Sequence, residues 1–265
     1  MNTLASYNNP TFTARNQYIK DAQWVCHTIN SKFPHFSTTK HIPTYKRLII
    51  EHPNFVRNSS IPETMKEILE LTQTLTARPL KPYQITSDNI KQNSKLLNYV
   101  KQIISHLGHS RNQADYINGE KSIQSPLYML EDLRLGNCYE SAKIAELILL
   151  LNKIENACIA KLKTPFNQKL NHVVCIFNKD GSQFNGTVNN STIIIDNWAG
   201  KTDFAKNMYT HYKNLFKDHF YIPKNSPIEF EQTEKLYLSP QQIRELTKKY
   251  PDFIFKNTKR KFMRA

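Results

Sequence analysis

Leu135-Gly136-Asn137-Cys138-Tyr139-Glu140-Ser141-Ala142 decides how this chain is read. Gly136 breaks the chain direction. Asn137 is a good N-cap, because its side-chain oxygen accepts a backbone N–H of the first helical turn. Glu140 stands three residues later, where a carboxylate answers the cap and the positive helix end. From Ala142 to Leu151 the chain is an apolar run without Gly or Pro, too long for a typical strand. It predicts a helix buried on most sides. Cys138 then lies in the first turn, where the helix dipole and backbone N–H groups favour negative charge. A nucleophilic cysteine benefits from that placement. The plainer reading is a small apolar residue plugging a helix end.

Two downstream segments weigh against the plain reading. Asn171-His172-Val173-Val174-Cys175-Ile176-Phe177 alternates and is rich in β-branched residues, so it predicts a strand with His172 at its entrance. Lys179-Asp180-Gly181 is a turn signal, and a Gly/Asn-rich loop runs on to Asn190. Thr192-Ile193-Ile194-Ile195-Asp196 predicts a second strand, too apolar to be exposed on both faces. Asn197-Trp198-Ala199-Gly200 then turns the chain. In such a hairpin His172 and Asp196 are neighbours across an antiparallel ladder. A carboxylate beside an imidazole fixes its tautomer and orients it. Cysteine at a helix start, then His and Asp on adjoining strands, is the order that a thiol–imidazole–carboxylate triad requires.

This order resembles the papain-like and transglutaminase-like cysteine enzymes. The residues that carry the resemblance are Gly136-Asn137-Cys138, Asn171-His172-Val173-Val174 and Ile193 to Gly200, within about residues 126 to 205. The last segment is similar to the strand-end Asp and following Trp of bacterial cysteine proteases and glutamine deamidases that act on host proteins. The resemblance implies an α+β fold with a papain-like core, a central helix against an antiparallel sheet, preceded by a helical N-terminal region. It implies a thiol hydrolase that attacks an amide of a protein substrate, as a protease or a glutamine deamidase. Cys138 is then the nucleophile, His172 the base and later the acid, and Asp196 the orienting carboxylate. Asn137, Gln124 and Trp198 are candidates for support, the first two for the oxyanion and the third as a shield over the His–Asp pair. Such an enzyme needs no cofactor and no metal. Acyl transfer to an amine, as in transglutaminases, uses the same triad, and cysteine acetyltransferases also show the Cys-x-Glu pattern of Cys138-Tyr139-Glu140. The reading from another class is a non-catalytic protein-binding module on the same fold.

The remaining composition narrows the setting. The chain has 265 residues and a formal net charge of +14. The positive excess lies in residues 1–60 and 201–265, while the middle is close to neutral. Basic ends suit an acidic partner or an anionic membrane surface, or are simply well solvated. No helix-turn-helix, zinc-finger or RNA-binding signature points to nucleic acid. No apolar stretch reaches the length of a membrane span. The first ten residues lack the charged and apolar regions of a secretory signal, so a reducing, cytoplasmic setting is expected. Delivery into a host cell by a signal-independent route leaves no such mark. Cys26, Cys138, Cys158 and Cys175 show no CxxC and no disulfide spacing. Cys158 and Cys175 read as core, and His172 and Cys175 point to opposite faces of one strand, which argues against a zinc site.

Four regions are expected along the chain: residues 1–14 disordered, 15–124 helical, 125–255 the cysteine-enzyme core, and 256–265 a basic tail. Within the helical region, stripes predict helices from Arg15 to Phe33, from Ile61, and from Ser87 to a stop at Gly108. His106, His109, Arg111 and Gln113 follow as a polar loop that is a second source of a helper for the site. Ser125-Pro126 opens a short helix, Ala157–Lys163 alternates as a strand, and Thr202 caps a helix to about His219. Ile228–Leu238 predicts a further strand, and Ser239-Pro240-Gln241-Gln242 is a capping box for a last helix.

Overall fold

The computed structural model describes residues 10–33, 108–115, 122–164, 167–220 and 227–255. The expected helices from Ile61 and Ser87, and the basic tail, lie outside these residues. The protein is α+β, with helices on both faces of a five-stranded antiparallel sheet of order β4-β3-β2-β1-β5.

The elements in chain order begin with α1, Pro10–Lys32. The helix therefore starts five residues before the expected Arg15, inside the stretch read as disordered. Proline suits a first helical position, because its missing N–H has no partner there in any case. A helical segment covers residues 108–115. This corrects the loop expected after Gly108: at the site itself a glycine costs only about 1 kcal/mol within a helix, and the segment is held by contacts described below. Then come α2, Gln124–Glu131, and α3, Cys138–Leu151. The sheet is built from β1, Cys158–Thr164, β2, Asn167–Asn178, β3, Thr192–Asp196, and β4, Lys201–Phe204. Next are α4, Ala205–Phe220, β5, Glu229–Glu234, α5, Pro240–Lys249, and a 3-10 turn over Pro251–Phe253.

Two further expectations are corrected here. Thr202 does not cap α4. It pairs with Ile195 inside β4, and the helix begins at Ala205. Ladder hydrogen bonds along β3 outweigh a local N-cap preference at this point. His172 is not at a strand entrance either, since β2 begins at Asn167.

The sheet is apolar on both faces, with successive side chains pointing to opposite sides. Ile159, Cys175, Phe177, Ile193 and Ile195 face the cluster that includes α1 and α3. Cys158, Ala160, Leu162, Val174, Ile176 and Ile194 face Met208 and Tyr212 of α4. Within α3, Ile144, Ala145, Leu147, Ile148 and Leu149 are all fully buried. Each of these Leu and Ile side chains contributes about 1.5–3 kcal/mol. The apolar run therefore forms the central helix expected of it. Its far end is clasped by Asn152, which donates to Phe253 O (2.7 Å) and accepts from Phe255 N (2.8 Å). Ala22, Val25 and Ile29 of α1, and Phe33 just after it, join the same core. Among the described residues no helix is long and apolar enough to cross a membrane.

Candidate active site

The N-terminal turn of α3 is set by its own residues. Asn137, extended at φ −129°, forms the capping box with Glu140, whose Oε2 accepts from Asn137 N at 2.8 Å. Cys138 is thereby the first residue of the helix. It is half-buried, whereas Cys26, Cys158 and Cys175 are buried. Burial pushes the Cys158 thiol up to about 12, aided by the nearby Glu146 carboxylate. The same two causes hold the Cys175 thiol well above the ordinary value.

Strand register places the other two members. Cys175 pairs with Ile195, so continuing the antiparallel ladder by one residue sets Asp196 against Val174. His172 lies two residues before Val174, on the same face of β2, and is the diagonal neighbour of Asp196. The relation is thus diagonal rather than directly opposite. Their side chains meet: His172 Nε2 lies 2.6 Å from Asp196 Oδ2, with the side chains 4% and 1% exposed. With Nε2 engaged, Nδ1 is the ring nitrogen left for Cys138, whose side chain hydrogen-bonds the imidazole.

Asp196 is held from three directions. Besides His172, Ala199 N donates to Oδ1 (2.9 Å) and the Tyr212 hydroxyl donates to Oδ2 (2.8 Å). The turn that brings Ala199 back closes at Gly200, whose φ of +64° is open to glycine at no steric cost. Gly200 N donates to Asn197 O at 3.2 Å, completing that turn. Asn197 is tied to α1, where the Cys26 thiol donates to Asn197 Oδ1 at 3.2 Å. Trp198 is half-buried and meets the His172 ring edge-on, with centroids 5.1 Å apart, while Tyr212 approaches the same ring at 6.1 Å.

The electrostatics follow from this packing. Burial alone would lower the His172 pKa, but the Asp196 charge, its hydrogen bond and the Cys138 contact outweigh it and push the imidazole up to about 10. Burial would raise Asp196, yet the His172 charge and the three hydrogen bonds hold it below the usual carboxylate range. A buried carboxylate with three donors keeps its charge, which is what an orienting partner needs.

The supporting candidates fall in different places. Asn137 caps α3 beside Cys138, and Trp198 covers His172. Gln124 is exposed at the first position of α2, and the structure does not bring it into the group. From the polar stretch named as a second source of help, Arg111 reaches the first turn of α3, bonding Glu140 Oε1 at 2.6 Å. Tyr212 had no distinguishing signal, because it continues the apolar stripe of α4 and reads as core. Among the described residues no group of three His, Cys, Asp or Glu side chains is placed to hold a metal.

Comparison with protein-family models, with curated proteins and with solved structures finds no match for this chain.

Proposed function

We propose that this protein is a cysteine-dependent hydrolase that attacks an amide of a protein substrate, on a core of the papain-like and transglutaminase-like kind. The observation that carries the reading is the buried 2.6 Å His172–Asp196 contact with the imidazole bonded on to Cys138 at a helix start. A buried ionic pair is weak evidence for a stabilising role, since a hydrophobic pair of similar size often fills such a site at no cost.

The chemistry follows in two halves. The sulfur attacks the carbonyl carbon while His172 holds the Cys138 proton as an imidazolium, the form its raised pKa favours, and negative charge moves to the carbonyl oxygen. Backbone N–H groups at a helix start are suited to receive that charge. The C–N bond breaks as His172 passes its proton to the leaving nitrogen, which departs as ammonia or a peptide amine, and a thioester remains on Cys138. Water then attacks the thioester while His172 accepts its proton, the C–S bond breaks, and His172 returns the proton to the sulfur. Asp196 keeps the imidazole in one orientation and balances its charge throughout. An amine in place of water gives acyl transfer with the same residues.

The test is intact-mass analysis of proteins from cells expressing the wild type or Cys138→Ala. Wild-type-specific fragments identify a protease, a Gln-to-Glu mass change a deamidase, and a new cross-link or amine adduct an acyltransferase. Identical proteomes, with only a bound partner recovered, sink the enzyme reading in favour of a binding module.

A further inference from the structure

The turn that presents Cys138 also buries a carboxylate, and the charge that balances it comes from a distant part of the chain. Glu140 stands two residues after Cys138 with its side chain 2% exposed. Its Oε2 accepts from Asn137 N, and its Oε1 accepts from Nε of Arg111 at 2.6 Å and lies 2.6 Å from Nη2 in an ion pair. Arg111 belongs to the helical segment 108–115 and keeps its side chain 36% exposed. A buried carboxylate is costly unless it is paired and hydrogen-bonded.

The pairing bears on the chemistry as well as on the fold. During acyl transfer, negative charge develops on the sulfur and then on the carbonyl oxygen, both beside this turn. An uncancelled carboxylate two residues away opposes that charge, and more strongly in a half-buried site than in water. We propose that Arg111 is a positioning residue of the active site, which fixes the Asn137–Glu140 turn and cancels the Glu140 charge beside Cys138. The inference rests on Cys138 being the nucleophile. Its electrostatics agree. Burial would lower the Arg111 pKa, but Glu140, with smaller contributions from Cys138 and Asp115, raises it above the ordinary value. Arg111 exchanges no proton and acts on the sulfur mainly through Glu140, with a smaller direct attraction.

The experiment uses the full chain and iodoacetamide, a neutral reagent that Arg111 does not attract. The labelling rate of Cys138, located by peptide mass, is compared for wild type, Arg111→Ala, Arg111→Lys, Glu140→Gln and the double variant Arg111→Ala/Glu140→Gln, with thermal midpoints measured in parallel. Arg111→Ala is expected to slow labelling by about 10-fold or more, because a charge is left unpaired at close range. Arg111→Lys retains most of the rate. The double variant returns to the rate of Glu140→Gln, since a neutral amide needs no counter-charge and still caps the helix. Wild-type labelling in Arg111→Ala overturns the inference, as does a double variant no faster than Arg111→Ala. If Arg111→Ala does not fold, the decision rests on Glu140→Gln against the double variant, where equal rates support the inference and unequal rates overturn it. An inert Cys138 in the wild type overturns the nucleophile itself, whereas a reactive Cys138 indifferent to Arg111 overturns only the role of Arg111.

Discussion

Two of the buried ionic groups on the central helix and its sheet, among the described residues, are built differently. One is His172–Asp196, closed off by Tyr212, Ala199 and Trp198 but open on one side to Cys138. The other is Lys143, buried between Glu146 at 3.4 Å and Glu234, with Tyr139 donating to Glu234 at 3.0 Å and Leu236 N donating to Glu146 at 2.6 Å. The second group joins α3 to the edge strand β5 and carries two carboxylates against one ammonium. Burial pushes Glu146 up to about 7 despite the neighbouring Lys143. Its donors and acceptors answer one another within the protein. The first group hands one bond on to a half-exposed sulfur. The difference separates a buried charged group satisfied within the core from one that reaches a half-buried thiol, the arrangement the proposed nucleophile requires.

The largest effect that separates the two groups is expected at Asp196. Asp196→Asn leaves His172 without a charged partner and is expected to lower kcat/KM by up to roughly 10⁴-fold while the protein still folds. Turnover near the wild-type level removes Asp196 from the triad and erases the contrast.

Lys143→Met tests the other group. Removing the single cation leaves two carboxylates facing each other, which is expected to cost about 3–5 kcal/mol of stability. Urea or thermal unfolding reads the loss. The iodoacetamide rate of Cys138 in the folded fraction stays close to wild type if the group is structural.

A third contrast is in pH. Glu146 is raised in the folded state, so protonation favours folding: its cost is absent below the unfolded value near 4.5 and grows until pH passes about 7. From that shift about 3 kcal/mol is at stake across the window. His172 is raised to about 10, so its stabilisation is complete below the unfolded value of 6.5 and disappears as pH rises through 10. Glu146→Gln is therefore expected to flatten stability between pH 4.5 and 7, and Asp196→Asn between pH 6.5 and 10. Denaturant titrations across both windows check this, and flattening in the wrong window breaks the assignment.

Tyr212→Phe is the smallest of these changes. It removes one of three donors from a buried carboxylate, an expected loss of about 1–3 kcal/mol in unfolding experiments. Activity falls far less than in Asp196→Asn, because His172 and Ala199 still hold the carboxylate. A loss as large as that of Asp196→Asn would make Tyr212 part of the reacting group.

What could be read from the amino acids was local. Asn137 and Glu140 cap a helix by their chemistry and spacing, and the run after Ala142 has to be buried. The alternation around His172 and the run ending at Asp196 are strand signals in themselves. Ser239 and Gln242 form the capping box that their spacing announces, with Gln242 N donating to Ser239 Oγ at 3.2 Å. These features rest on interactions within a few residues, whose energies depend on sequence neighbours alone.

Contacts between remote segments were decided elsewhere. Thr202 carries a helix-capping side chain, yet a ladder to Ile195 makes it strand. Arg111 is a polar residue without any motif, and only the tertiary structure brings it 29 positions along the chain to Glu140. Tyr212 belongs to an apolar stripe until α4 lays its hydroxyl on Asp196, and Lys143 lies within a hydrophobic run until β5 supplies Glu234 from 91 positions away. The sequence by itself determined the central helix, its cap and the main strands, with Cys138 and Asp196 at element ends, whereas His172, expected at a strand entrance, lies within β2. The tertiary structure alone decided the partners that charge, orient and enclose them, because a buried charge finds its counter-charge through space and leaves no spacing in the chain to read.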